Sequence, residues 1–221
     1  MARSATSSRR LKEKEDRKGL ILAAAREVFF EVGIRRATVD MIAAKAEIAK
    51  GTVYLYFQTK ETILAHLLLE GLDTLHEYLT TAFDDSAALD SETRLRRLAA
   101  AYYEFYLQEP DYFRLMMAFD RGQFQESVSP ELYELILLRS LRGLRCVADA
   151  AQQGITEGTL TTSADARQLA GMLWAALNGV LVITSHPLRR ELVEQEVEKL
   201  YAGVLETMLR GLRQGPTGGK P

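Results

Sequence analysis

The chain has 221 residues, of which 47% are apolar and 26% charged, with a net charge of -2. That length suffices for one or two packed cores, and the composition is that of an ordinary soluble globular protein rather than a low-complexity or fibrous one. A single cysteine, Cys146, excludes an intramolecular disulfide and is compatible with a reducing cytoplasm.

The charge is unevenly spread. Residues 1–60 hold 13 Lys/Arg against 7 Asp/Glu, a net of +6, which leaves 15 basic and 23 acidic residues, a net of -8, for the remainder. A basic head on an acidic body is the electrostatic footprint expected when only the head meets a polyanion such as double-stranded DNA.

The leader, MARSATSSRRLK, lacks an apolar stretch and does not read as a signal peptide. Rich in Ser and Thr, residues 1–12 are expected to be a disordered basic leader. Arg9, Arg10 and Lys12 make it either a solvated tail or an arm along a nucleic acid. ILAAAREVFFEVG (21–33) then predicts a helix closed by Gly33.

Residues 38–60, TVDMIAAKAEIAKGTVYLYFQTK, predict two short helices, a tight turn between them, and the start of a third. Thr38 is placed as an N-cap. Ile42 and Ala46 mark the inward face of the first helix. Ala49, Val53 and Phe57 are expected inward on the second, at i, i+4, i+8. Lys50, Thr52, Tyr54, Leu55 and Tyr56 are then left outward, as in a helix laid in a DNA major groove. Lys50 and Lys60 each sit in the first turn of a helix, facing the positive end of its dipole at a cost of about 0.3–1 kcal/mol. Nearby phosphates would explain both placements.

This segment resembles the helix-turn-helix of the TetR family of bacterial transcription regulators. The matching residues include Thr38, Ile42, Ala43, Ala46, Ile48, Lys50, Gly51, Thr52, Tyr54, Tyr56, Phe57, Lys60, Glu61 and Leu64, and with the upstream helix the likeness covers residues 12–68. Two positions depart from the family pattern. Glu47 and Ala49 stand where the turn usually carries Gly and then Ser. A left-handed residue other than Gly is strained by roughly 1 kcal/mol, and a missing side-chain cap costs about as much. The resemblance implies DNA contacts from Thr38, Lys50, Gly51, Thr52, Tyr54, Tyr56 and Lys60, and the outward face of the second helix adds Leu55.

The rest reads as helix. Residues 59–84 carry Leu64, Leu68, Leu72, Leu75, Leu79 and Phe83 at helical spacing, and further helices are expected over 92–108, before Gly122, over 130–153, over 164–185 and over 189–212. The tail from residue 214 is expected to be disordered, and no run of about 18 apolar residues marks a membrane span. The helix over 164–185 is apolar all round, with Gly171, Ala175, Ala176 and Gly179 allowing close approach. The last has a wide stripe of Val193, Val197, Leu200, Tyr201, Val204, Leu205, Met208 and Leu212. The resemblance implies that these two long helices form a homodimer interface, and two-fold heads suit a palindromic operator.

Tyr102, Tyr103, Phe105, Tyr106, Tyr112, Phe113, Met116, Met117 and Phe119 cluster in sequence, and Trp174 and Asn178 follow one helical turn apart. Taken alone, such a set reads as core or as an apolar pocket. The resemblance implies a pocket for a small-molecule effector, with Tyr102, Tyr103, Tyr106, Phe113, Met116, Met117, Trp174 and Asn178 as candidate lining.

Catalytic motifs are absent from the sequence. Asp73 and His76 stand at i, i+3, yet no matching second motif follows, and there is no HExxH, CxxC or phosphate-binding loop. Neither an enzyme nor a cofactor or metal is expected.

The expected architecture is all-α. A disordered leader (1–12) precedes a helix-turn-helix domain (13–60), a helical effector-binding and dimerisation domain (61–213) and a disordered tail (214–221). The expected function is that of a cytoplasmic, ligand-responsive regulator, a repressor released from its operator by an apolar or aromatic effector. The competing class is a helical ligand-binding or interaction protein whose head no longer binds DNA.

Overall fold

The structure, a computed structural model, describes residues 2–86, 88–119 and 127–214. Among them are ten helices and no strand: α1 (Ala2–Val32), α2 (Val39–Lys45), α3 (Lys50–Tyr56), α4 (Lys60–Asp84), α5 (Ser91–Gln108), α6 (Pro110–Phe119), α7 (Pro130–Glu157), α8 (Ala166–Thr184), α9 (Pro187–Val193) and α10 (Val197–Gln214). The chain divides into two compact units, Met1–Gly71 with Arg114–Ile136, and Leu72–Phe113 with Leu137–Pro221. The division falls inside α4 rather than at residue 60, and residues 114–136 group with the first unit.

In the first unit, α2 packs on α1 and α3. Ile21, Ala25, Val28 and Phe29 of α1 are buried, as are Ile42 and Ala43 of α2, Val53 of α3, Phe57, and Ile63 and Leu64 of α4. Gly33, at φ +84°, ends α1 in the left-handed conformation expected of a glycine cap. The leader is not an irregular segment, since α1 is helical from Ala2. No Pro or Gly interrupts residues 2–18, and pairs such as Arg9–Glu13 (3.0 Å) and Lys18–Glu15 (3.5 Å) support the helix at i, i+4 and i, i+3.

In the second unit, α10 packs on α8 and α5. Asp165 and Gln168 form a reciprocal capping box that starts α8 two residues later than expected. By length and composition α8 is apolar enough to cross a membrane, contrary to the expectation from the sequence. Its buried Leu169, Leu173, Leu177 and Leu181 instead belong to the packing of this unit. The helix expected over 189–212 is two helices, because Glu194 adopts the left-handed conformation at φ 50° and ends α9. At the far end of α7, Gly154 accepts hydrogen bonds from the amides of Thr159 (2.9 Å) and Leu160 (3.0 Å). A Cβ there would stand 2.4 Å from Ser91 Oγ, and Ser91 in turn bonds Thr159 Oγ1 at 3.0 Å. The tail expected to be disordered lies, beyond Gln214, outside the described residues, as does Gly122.

Candidate nucleic-acid interface and effector region

The head is assembled from short capped helices. The Thr38 hydroxyl accepts from Met41 N at 3.2 Å, as an N-cap should. Glu47 takes up the turn between α2 and α3 at φ 53°, the left-handed conformation anticipated where glycine is missing. Ala49 is the N-cap of α3 and offers no side-chain hydrogen bond. It is also exposed, not inward. As a cap it lies before the first helical residue, so the inward set of this segment is Ala46, Val53 and Phe57.

With Val53 and Phe57 facing in, α3 presents its other side to solvent. Leu55 is 81% exposed and Tyr54 45%, Lys50 and Gly51 are exposed, and Thr52 and Tyr56 are half-buried. The structure therefore brings Lys50, Gly51, Thr52, Tyr54, Leu55 and Tyr56 together on one short helix. The two lysines have partners within the head. Lys50 Nζ lies 2.8 Å from Asp40 Oδ2, and this bond raises the ammonium above its ordinary range. Lys60 Nζ donates to the carbonyls of Ile34 (3.1 Å) and Ala37 (3.2 Å), which follow α1. Those carbonyls supply negative potential near the end of α1, so the unfavourable place of Lys60 at the start of α4 is offset without a phosphate. Two of its three N–H donors are engaged. Periodicity alone does not reveal this clamp, because Ile34 and Ala37 lie in an irregular connection.

The aromatic cluster of the second unit is packed on itself. Tyr201, Tyr103, Tyr106, Phe113 and Tyr102 form a chain of ring contacts, at centroid separations of 5.0, 6.0, 4.9 and 6.5 Å in that order. Tyr102 donates to Asn178 Oδ1 at 2.8 Å, and Tyr201 donates to the carbonyl of Ala99 at 2.8 Å. Burial pushes the Tyr201 phenol well above its ordinary pKa. The structure thus unites Tyr102, Tyr103, Tyr106, Phe113 and Asn178 and adds Tyr201, which the sequence had placed only in the interface stripe. Met116 and Met117 are half-buried residues of α6 and belong to the first unit. Trp174 is 46% exposed on the surface of α8 and is not part of the cluster. A groove of about 560 Å³ lies between α4 and α5, lined by Glu77, Tyr78, Asp85, Arg97, Glu104 and neighbouring small residues, and shares no residue with the expected lining. Asp73 is committed to an ion pair with Arg139, and His76 contacts Thr80 Oγ1 at 3.4 Å.

A family model described as bacterial regulatory proteins, tetR family, matches residues 21–67, the span that holds the capped helices and the exposed face of α3. Over that span the chain is similar to the TetR family. Similar proteins include the HTH-type transcriptional activator FasR of Mycolicibacterium smegmatis, 29% identical over 107 residues, 48% of each chain. The HTH-type transcriptional repressor KstR2 of Mycobacterium tuberculosis is 29% identical over 142 residues, 64% of this chain and 68% of its own. For FasR and several others the match spans about half the length of the curated relative. The solved structure of the transcriptional regulator FadR from Bacillus subtilis in complex with stearoyl-CoA superposes with a TM-score of 0.67 at 22% identity, covering 87% of this chain and 97% of that one. The likeness of fold therefore extends well beyond the residues matched in sequence.

Proposed function

We propose that this chain is a cytoplasmic, ligand-responsive DNA-binding transcription regulator of the TetR type, a repressor that leaves a palindromic operator when a small apolar or aromatic effector binds. One observation carries the DNA-binding part: a seven-residue helix buries Val53, with Phe57 buried at its C-cap, while leaving Lys50, Tyr54 and Leu55 exposed and Thr52 half-exposed. Thr52 and Leu55 are the base-edge contacts, Leu55 being suited to a thymine methyl group. Thr38, Lys50, Gly51, Tyr54 and Tyr56 hold phosphates, Lys50 by exchanging Asp40 for the backbone. Lys60 contributes its remaining donor while it ties the α1–α2 connection. In this reading residues 13–60 are the DNA-binding domain and residues 61–213 the effector-binding and dimerisation domain.

The dimer is proposed through α8 and α10. Gly171, Met172, Ala175, Gly179 and Ile183 lie on the side of α8 opposite Leu173, Leu177 and Val180, and a Cβ added at Gly171 or Gly179 meets nothing within 4 Å. A second copy seated there would cover Met172 and Ile183 and set two heads at a fixed separation. The effector region is the Tyr102–Tyr106–Phe113 cluster with Asn178, all within the second unit. The stearoyl-CoA of FadR carries an acyl chain of the same apolar class. Release works through differential affinity for two states, and tenfold release requires about 1.4 kcal/mol of coupling.

The test is selection of bound sequences from a random DNA pool, followed by operator affinity at graded salt with and without fatty acyl ligands. A two-fold symmetric consensus with steep salt dependence is expected. Absence of salt-dependent binding would favour the alternative, a helical ligand-binding protein with a silent head, for which the strained Glu47 and uncapped Ala49 would be the reason.

A further inference from the structure

We propose that the N-terminal part of α1 is a rigid clamp for the DNA backbone beside the operator, with Arg10, Lys14 and Arg17 each holding a phosphate; this rests on the DNA-binding reading above. The argument begins with spacing. Residues 10, 14, 17, 21, 24 and 28 alternate steps of four and three and so form one seam along the helix. In the second half of that seam Ile21, Ala24 and Val28 are buried in the head, at 0%, 5% and 5% exposure. In the first half Arg10, Lys14 and Arg17 are exposed. The face that packs on the head thus continues past it as a basic stripe, looking along the flank of the domain rather than away from it.

The other charges of the segment are arranged differently. Arg9 pairs with Glu13 and Lys18 with Glu15, whereas among the described residues Arg10, Lys14 and Arg17 enter no ion pair. From residue 9 to residue 20 every side chain but the half-buried Lys18 is exposed, including Leu11 at 62%. A helix without a packed face is marginal by itself and needs a partner to hold it. The seam carries three cations and is continuous with the head, and Glu13 beside it is taken up by Arg9, so the matching partner is the phosphate backbone that the head would approach in the reading above. Twelve residues of helix span ~18 Å, the length of about five base pairs.

The test uses the full chain and duplexes recovered from the random pool, with long flanks or with flanks trimmed by about five base pairs on each side. The variant Arg10→Gln/Lys14→Gln/Arg17→Gln should lose two to three units of salt slope per head, at about 0.9 per phosphate, with its preference among sequences unchanged. Trimming the flanks should lower the wild-type slope to the same level and leave the variant where it is. Arg9→Gln/Lys12→Gln, which lies off the stripe, should retain the wild-type slope. Wild-type binding with an unchanged slope in the triple variant overturns the clamp alone, and so does an equal loss in the Arg9/Lys12 variant. No wild-type binding to any selected DNA overturns the regulator reading and the clamp together.

Discussion

Lys50 at the start of α3 is held by Asp40 on the helix before it, at 2.8 Å. A phosphate that recruits Lys50 must therefore compete with a carboxylate, and the carboxylate itself repels the backbone. Exposed pairs of this kind are weak, so the exchange is cheap. Asp40→Asn should raise affinity for all DNA sequences several-fold, whereas Lys50→Ala should lower it and flatten the salt slope by about one unit. Gel-shift titrations over a salt series measure both. An Asp40→Asn protein that binds no better than wild type would remove the competition from the scheme.

Two local defects of the turn should be repairable. Glu47 is left-handed and Ala49 caps nothing. Glu47→Gly should stabilise the head by roughly 0.5–1 kcal/mol once the added entropy of the unfolded chain is counted, and Ala49→Ser by about 1 kcal/mol. Urea denaturation followed by circular dichroism reports each gain. A loss of stability in the glycine variant would show that Glu47 makes a compensating contact.

The head should soften in mild acid. His66 is half-buried with its ring 5.4 Å from that of Phe57, and burial, then the charge of Lys18, holds its pKa below 6.5. The unfolded chain therefore takes up a proton first as the pH falls through about 6.5, and stability declines until the folded-state value is reached. Denaturation midpoints between pH 7.5 and 5 should show this decline, and His66→Gln should remove much of it. A midpoint independent of pH across that window would contradict it.

Gly179→Leu offers a clean probe of assembly. Within one subunit the added side chain has open space, so the subunit fold should persist. At a subunit contact it should overpack by about 1–3 kcal/mol. Sedimentation should find a wild-type dimer and a dissociating variant of unchanged helix content, with operator affinity reduced. A wild-type monomer at micromolar concentration would sink the proposed interface.

The head was legible in the sequence where local rules act alone. The Thr38 cap, the Gly33 stop, the strained Glu47 and the inward Val53 and Phe57 all follow from capping, handedness and period. Tertiary placement was not legible. Lys60 has the composition of a phosphate ligand, and only folding reveals the carbonyls it grips. Val193 and Val197 keep helical spacing across a break made by Glu194, so the stripe conceals two helices. Trp174 stands on a helix apolar on every side, where period cannot say which residues face out. In the leader, Ser and Thr point to irregular chain, while the charge pairs that favour helix begin only at Arg9.

The junction at Gly154 bears on the order in which the chain folds. Ser91 and Thr159, which meet there, are 68 residues apart in sequence, and the contact closes only when α7 has no side chain at that point. Closing so long a loop is entropically slow, so this end of the second unit should lock late, after the shorter-range helix pairs have formed. A lesion there would leave the folding rate nearly untouched and appear as faster unfolding. The lifetime of the folded state, rather than the speed of reaching it, would then be what Gly154 protects.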